Sequence, residues 1–285
     1  MIARPLRSAL YLPANRASAV DKARASAADA VILDLEDAVA PEAKAEARAA
    51  AVQTAAEGGF GNRLLVVRVN ALDSEWGQAD LDALEQSRLD AILLPKVSAP
   101  ETLIDARRRA PDGCALWAMV ETCAAILRLG EIAADGAREG LKAFVIGTND
   151  LALEMRCTLD TDRAAVLPLL TQSVVAARAH GFAVLDGVFN DIADEDGFAR
   201  QCAQGAMLGF DGKTLIHPKQ LDIANAAFGP SEEAIARSRA VVAAFALPEN
   251  AGKGVIKVDG RMTELLHLRQ AERILAMQAA IAARG

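Results

Sequence analysis

The sequence predicts an α/β fold, a closed TIM-type (β/α)8 barrel followed by a C-terminal helical extension, and three observations predict it. Short apolar runs recur eight times, with helix-like stretches between many of them, the alternation expected of βα units around a parallel sheet. Eight such repeats in roughly 220 residues suit a barrel better than an open sheet. No Gly-x-Gly-x-x-Gly follows the first run, which weakens a dinucleotide-binding reading.

In chain order the predicted strands cover 8–12, 30–35, 64–69, 91–94, 116–120, 143–146, 183–185 and 206–208. Each is an apolar run of the kind a buried strand requires. The helices at 16–28 and 41–56 are Ala-rich, with charges that gather on one side, and 162–180 repeats the pattern with Val166, Leu169, Leu170, Val174 and Val175. The character changes after Gly229-Pro230. Residues 231–245 read as a helix with Ser231 as N-cap and Glu232 and Glu233 in the first turn, where acids suit the helix dipole. Residues 248–254 read as a loop. A long helix over 263–283 carries Leu265, Leu266, Leu268, Ile274, Leu275, Met277 and Ile281, a stripe too apolar to face water alone. The expected division is therefore a barrel at 1–230 and an extension at 231–285, packed on the barrel or on a neighbouring subunit.

Composition narrows the function. The 285 residues suffice for one large barrel or two ordinary domains. A hydrophobic content of 52% with 4% aromatics implies a core built mainly of Ala, Leu and Val. A net charge of −7 without a long Lys/Arg run argues against a nucleic-acid surface. Cys114, Cys123, Cys157 and Cys202 lack CxxC or zinc-like spacing, as reduced thiols of a cytoplasmic protein would. No apolar span approaches the ~18 residues of a membrane helix, and the first 16 residues lack a signal-peptide core. The expectation is a soluble, cytoplasmic protein without a membrane partner.

In a barrel of this type the active site lies at the C-terminal ends of the strands. Residues at or just after those ends are Asn15, Arg16, Asp34, Glu36, Asp37, Arg68, Asn70, Lys96, Glu121, Asp150, Asp186, Lys213 and His217. Glu121 closes the run from Ala115, and Asp150 follows Gly147-Thr148-Asn149. A lone carboxylate is too costly to bury. Two from adjacent strands, with no His or Cys pattern beside them, suit a hard cation such as Mg2+; pairing with a cation such as Lys96 is the alternative. Arg68 offers a donor fork that matches a carboxylate or a developing enolate oxygen, or else it pairs with Asp34, Glu36 or Asp37. Those acids could themselves form a metal site, but the preferred reading is an outer ring that holds metal-bound waters and nearby cations in place. His217 precedes Pro218, which favours an extended loop. A structural role is the default for His217, as packing is for Tyr11. The Gly209–Lys213 turn is too weak a signal for a phosphate loop.

The motifs RSALYLPANR (7–16), AVILDLEDAV (30–39), VVRVN (66–70), ILLPKV (92–97), MVET (119–122) and GTNDL (147–151) occur in one order. DGVFNDIADEDG (186–197), GFDGKTLIHPKQ (209–220) and VDGRMTELLHLRQAERIL (258–275) follow. The chain thereby resembles the citrate lyase β-subunit-like branch of the HpcH/HpaI aldolase family. The resemblance implies Mg2+ held by Glu121 and Asp150, with Glu121 also at the substrate, and Arg68 as substrate contact and catalytic group. It places the coenzyme A portion near Tyr11 and His217, and it implies a homo-oligomer, usually a trimer, whose tail reaches a neighbouring subunit. Where relatives carry an acid/base aspartate in a Met-Ile-Asp-Met-Pro-like tail motif, this chain has Glu264 in Met262-Thr263-Glu264-Leu265-Leu266. The carboxylate is kept on an arm one methylene longer, and the proline is gone. The expected activity is Mg2+-dependent carbon–carbon cleavage of a 3-hydroxyacyl-CoA or acyl-carrier thioester of citryl, malyl or citramalyl type. A keto acid and an acetyl thioester would be released, with Glu264 moving the proton. A free 2-keto-acid aldolase and a non-catalytic metal- and ligand-binding homologue are the alternatives.

Overall fold

The computed structural model describes residues 4–160 and 162–284. Eight parallel strands close a barrel: β1 (Ser8–Pro13), β2 (Ala30–Asp34), β3 (Leu64–Arg68), β4 (Ala91–Leu94), β5 (Ala115–Val120), β6 (Leu141–Ile146), β7 (Ala183–Asp186) and β8 (Gly212–Leu215). β8 returns to pair with β1 through Ser8 and Lys213. Helices follow the strands: α1 (Ala17–Arg24), α2 (Lys44–Glu57), α3 (Gly77–Leu84), α4 (Pro100–Arg107), α5 (Cys123–Leu127), α6 (Leu129–Arg138), α7 (Thr148–Met155), α8 (Leu167–Ala179), α9 (Glu195–Leu208) and α10 (Leu221–Ala227).

The strands are apolar almost without interruption because both faces are covered. Every residue of β2 and β4 is buried. Alternate side chains share a face, and Ala9, Ile32, Val66, Leu93, Trp117, Val145 and Leu185 form one cluster among them. The helices begin and end within a few residues of expectation. Pro41–Ala43 forms a 3-10 turn before α2, and α8 starts only at Leu167, with Pro168 in its first turn.

One strand was misplaced by sequence reading. Residues 206–208 are the last turn of α9, which ends at Gly209 with φ +97°. Ala206-Met207-Leu208 imitates a buried run, yet Met207 is exposed. The eighth strand is Gly212–Leu215, whose Lys213 and Thr214 conceal it from a hydrophobicity reading although both are buried.

Backbone packing separates the described residues into two units, Leu6–Asn225 and a second made of residues 226–284 with Arg4 and Pro5. In the second unit, α11 (Glu232–Phe245) is capped by Ser231, whose Oγ accepts the Ala234 N–H at 3.1 Å. The 248–254 loop contains a 3-10 turn, Pro248–Asn250. It leads to a hairpin absent from the sequence reading, β9 (Val255–Val258) and β10 (Arg261–Glu264), in antiparallel register. Its tip is Asp259-Gly260, both at positive φ (48° and 79°), the pair that a two-residue hairpin turn favours. The final helix, α12 (Leu265–Ala282), packs along α11. Leu265 and Leu266 of the expected buried stripe are exposed. Among the described residues no helix is long and apolar enough to cross a membrane.

Candidate active site at the barrel mouth

Glu121 is the first residue after β5, and the Val120–Ile146 pairing sets it beside Gly147. Its side chain is almost completely buried, at 1% exposure. Oε1 accepts the Lys96 backbone N–H at 2.7 Å. Oε2 lies against Gly147, where a Cβ would come within 2.3 Å of it. Among the described residues Glu121 forms no ion pair; Lys96 Nζ instead lies 3.8 Å from Glu36. Burial, followed by the charge of Glu36, pushes the Glu121 carboxyl up to about 8, with Asp150 adding to the rise.

Asp150 sits half-buried in the first turn of α7, four residues beyond the end of β6. A cavity of about 290 Å3 opens here, lined by Asp150, Gly147, Tyr11, Asp34, Arg68 and Asn190 among others. The structure thus brings Asp150, Arg68 and Tyr11 to one cavity; Glu121 is not part of its lining but touches Gly147, which is. No cluster of three or more potential ligands occurs among the described residues. Mg2+ needs only one or two carboxylates, with water and substrate oxygens completing its shell. A buried carboxylate without a paired cation, with one oxygen packed on bare backbone, fits that requirement.

Arg68 ends β3 and is held on several sides. Nε and Nη2 donate to the two oxygens of Asp34 at 2.7 and 2.6 Å. Nη1 lies 3.1 Å from Asp37 and 2.6 Å from Glu36 Oε2, a close ion pair without hydrogen-bond alignment. The guanidinium also stacks on the Tyr11 ring, 4.9 Å from its centroid. Burial works against the charge, but the Asp34 and Glu36 carboxylates outweigh it and keep Arg68 protonated. Burial raises Glu36 to about 7 and holds the Tyr11 phenol well above its ordinary range. Of the two sequence readings of Arg68, the structure bears out the pairing with all three acids, and Arg68 also lines the cavity.

His217 accepts the Lys219 N–H through Nδ1 at 3.2 Å and so caps a 3-10 turn, Pro218–Gln220. It is absent from the cavity lining, although its neighbour Ile216 belongs to it. Gln220, buried at 4%, joins two loops. Its Oε1 accepts the N–H groups of Ile216 and His217, and its Nε2 donates to the Phe189 carbonyl at 3.1 Å. Glu264 lies in the second unit, at the end of β10, where its N–H donates to His267 Nδ1 at 3.0 Å.

Sequence reasoning missed two buried networks. Lys213 Nζ donates to Asp186 at 3.0 Å, to Gln201 at 2.7 Å and to the Gly187 carbonyl. Arg163 holds the other Asp186 oxygen at 2.6 Å. Lys44 Nζ bonds the Leu35 and Glu36 carbonyls and Asn70 Oδ1, which pins the loop that carries Glu36 and Asp37. Asp186, Lys213 and Asn70 stand among the strand-end residues that the sequence points to, but Arg163, Gln201 and Lys44 carry no signal beyond a lysine among alanines at 44.

The family model for HpcH/HpaI aldolase/citrate lyase matches residues 7–218. A (3S)-malyl-CoA thioesterase of Cereibacter sphaeroides is 47% identical over 281 residues, spanning 99% of this chain and 97% of the relative. An L-malyl-CoA/beta-methylmalyl-CoA lyase of the same species is 35% identical over 310 residues, with 99% and 97% covered. The solved structure of CitE from Mycobacterium tuberculosis, in complex with magnesium, acetoacetate and coenzyme A, is similar with a TM-score of 0.80. Its identity is 31%, with 98% of this chain and 99% of that one covered.

Proposed function

The chain belongs to the HpcH/HpaI aldolase/citrate lyase family, and from that premise we propose that it is a Mg2+-dependent carbon–carbon lyase for the CoA thioester of a 3-hydroxy acid, of malyl type. The observation that carries this reading is the buried Glu121 carboxylate, unpaired with any cation among the described residues, against Gly147 of a cavity lined by Asp150 and Arg68. The relatives named for malyl-CoA support the substrate class.

Glu121 and Asp150 would hold the cation, which when bound supplies Lewis acidity towards the hydroxy-acid oxygens. Arg68, kept charged and oriented by Asp34, Glu36 and Asp37, stabilises the negative charge that grows on the acyl fragment. The substrate hydroxyl passes its proton to solvent water as the C–C bond breaks, and water returns one proton to the acid that protonates the enolate. An aldehyde or keto acid leaves, and the remaining thioester enolate takes a proton at carbon. In this reading Glu264 of a neighbouring subunit handles that proton, within a homo-oligomer, a trimer, in the cytoplasm. The loops of Tyr11 and His217 would hold the coenzyme A portion.

The 47% identity to malyl-CoA thioesterases favours one second reading, in which water attacks the thioester carbonyl and releases a free thiol. Incubation with malyl-CoA and Mg2+ separates the two. Cleavage yields glyoxylate and acetyl-CoA with no free thiol, whereas hydrolysis yields malate and a stoichiometric thiol. Undiminished turnover in both Glu121→Ala and Asp150→Ala would end either reading.

A further inference from the structure

Lys96 has a backbone that its side chain does not favour. Its φ is +52°, in the left-handed region that non-glycine residues other than Asn and Asp rarely occupy. Three other non-glycine residues share a positive φ among those described. Asp259 forms a hairpin tip, Arg156 terminates α7, and Arg163 joins the buried Asp186 network. Lys96 alone among the four donates its N–H to the proposed metal-binding carboxylate, Glu121 Oε1, at 2.7 Å.

The surrounding loop holds this peptide in place. Val97 is buried. The Ser98 hydroxyl donates to the Lys96 carbonyl at 3.2 Å and meets Thr122 Oγ1, next to Glu121, at 2.9 Å. The loop after β4 is thus fastened twice to the loop after β5. The Lys96 side chain, in contrast, is half exposed and lies no closer than 3.8 Å to its one ion-pair partner, Glu36.

We infer that Lys96 is a positioning residue that acts through its main chain: its left-handed peptide fixes Glu121 by Oε1 and leaves Oε2, on the Gly147 side, free for the cation. Backbone strain of this kind persists where the surroundings over-determine it, commonly at functional sites. The inference rests on the Mg2+ reading of the site and adds what aims the carboxylate.

The test compares neutral replacements, so that loss of the ammonium charge is common to all. Mg2+ affinity is measured by titration calorimetry for Lys96→Gly, Lys96→Asn, Lys96→Ala and Lys96→Val, with melting temperatures recorded in parallel. Gly and Asn tolerate a positive φ and keep the N–H in place, so their dissociation constants should agree within threefold. The β-branched Val disfavours that conformation and should bind Mg2+ at least tenfold more weakly than Gly, with Ala between them. Lys96→Gly should melt no lower than the wild type. Equal affinities for Gly and Val overturn the inference while the metal reading stands; should Lys96→Val fail to fold, equal affinities for Gly and Ala do the same. A wild-type protein that binds no Mg2+ overturns the metal reading and this inference together.

Discussion

Arg68 and Asp34 meet through two parallel hydrogen bonds, 2.7 and 2.6 Å long, with both side chains almost wholly removed from water. This fork fixes the plane of the guanidinium and turns its remaining nitrogen, Nη1, towards Glu36 and Asp37. A lysine could carry the charge but could not span both oxygens.

Arg68→Lys should therefore lower turnover by about two orders of magnitude, since a misdirected donor forfeits most of its transition-state stabilisation. Arg68→Ala should in addition destabilise the fold by roughly 3–5 kcal/mol, because Asp34 is left buried without its partner. Urea unfolding and steady-state kinetics check both. Near-wild-type kinetics for Arg68→Lys would remove Arg68 from the chemistry.

Glu121 and Glu36 make the metal-free protein sensitive to alkali. Their carboxyls are raised to about 8 and about 7 by burial. A carboxyl raised in the folded state contributes stability that is fully present below its unfolded value and is lost as pH rises through the folded one. Metal-free protein should consequently lose stability between about pH 5 and pH 8, and Mg2+ should restore it. Under the proposed assignment Glu121 sheds its proton to bind the cation, so affinity should tighten by up to about tenfold per pH unit below pH 8. Calorimetry in buffers of different ionisation enthalpy should register the released proton; a flat profile with no release would contradict the assignment.

Gly147→Ala tests how closely the backbone and the carboxylate are fitted. The added methyl would lie 2.3 Å from Glu121 Oε2 and 2.5 Å from its Cβ, so Glu121 must move. Mg2+ affinity should fall by at least about tenfold, in keeping with the sensitivity of metal sites to ligand orientation. The circular dichroism spectrum should stay unchanged. Wild-type affinity would mean that Glu121 has room the structure denies it.

Lys213→Met should act on stability. Lys213 and Asp186 are fully buried, 3.0 Å apart. Burial lowers the Lys213 pKa, but for Asp186 the cost of burial is outweighed by Lys213 and Arg163, which hold it ionised. Removing one cation leaves Arg163 to neutralise Asp186 alone, and Gln201 and the Gly187 carbonyl lose their donor. A loss of about 3–5 kcal/mol is expected in urea unfolding, and a change below about 1 kcal/mol would show the network to be dispensable.

The sequence announces some of this design and conceals the rest. The position of Glu121 is legible because a carboxylate that closes an apolar run has nowhere to go but the end of a strand; Asp150 comes after a turn signal and falls in the first turn of α7. Asp34, Glu36 and Asp37 are visible as a cluster, but that all three converge on Arg68 follows from the β2–β3 register. The eighth strand escapes notice because a buried Lys213 looks like a surface residue until its acceptors are assembled from β7 and α9. The Asp259-Gly260 tip is a readable turn signal. Lys96 is the opposite case, since nothing in lysine's preferences foretells a left-handed peptide that only its neighbours impose.

Gln220 carries a consequence for anyone who alters this protein. One amide ties the stretch around Phe189 to the stretch around His217, so the two loops form a single mechanical part. Substitutions in one should show epistasis with substitutions in the other. Attempts to redirect the enzyme towards new acyl groups will go further if libraries vary both loops together and leave Gln220 alone.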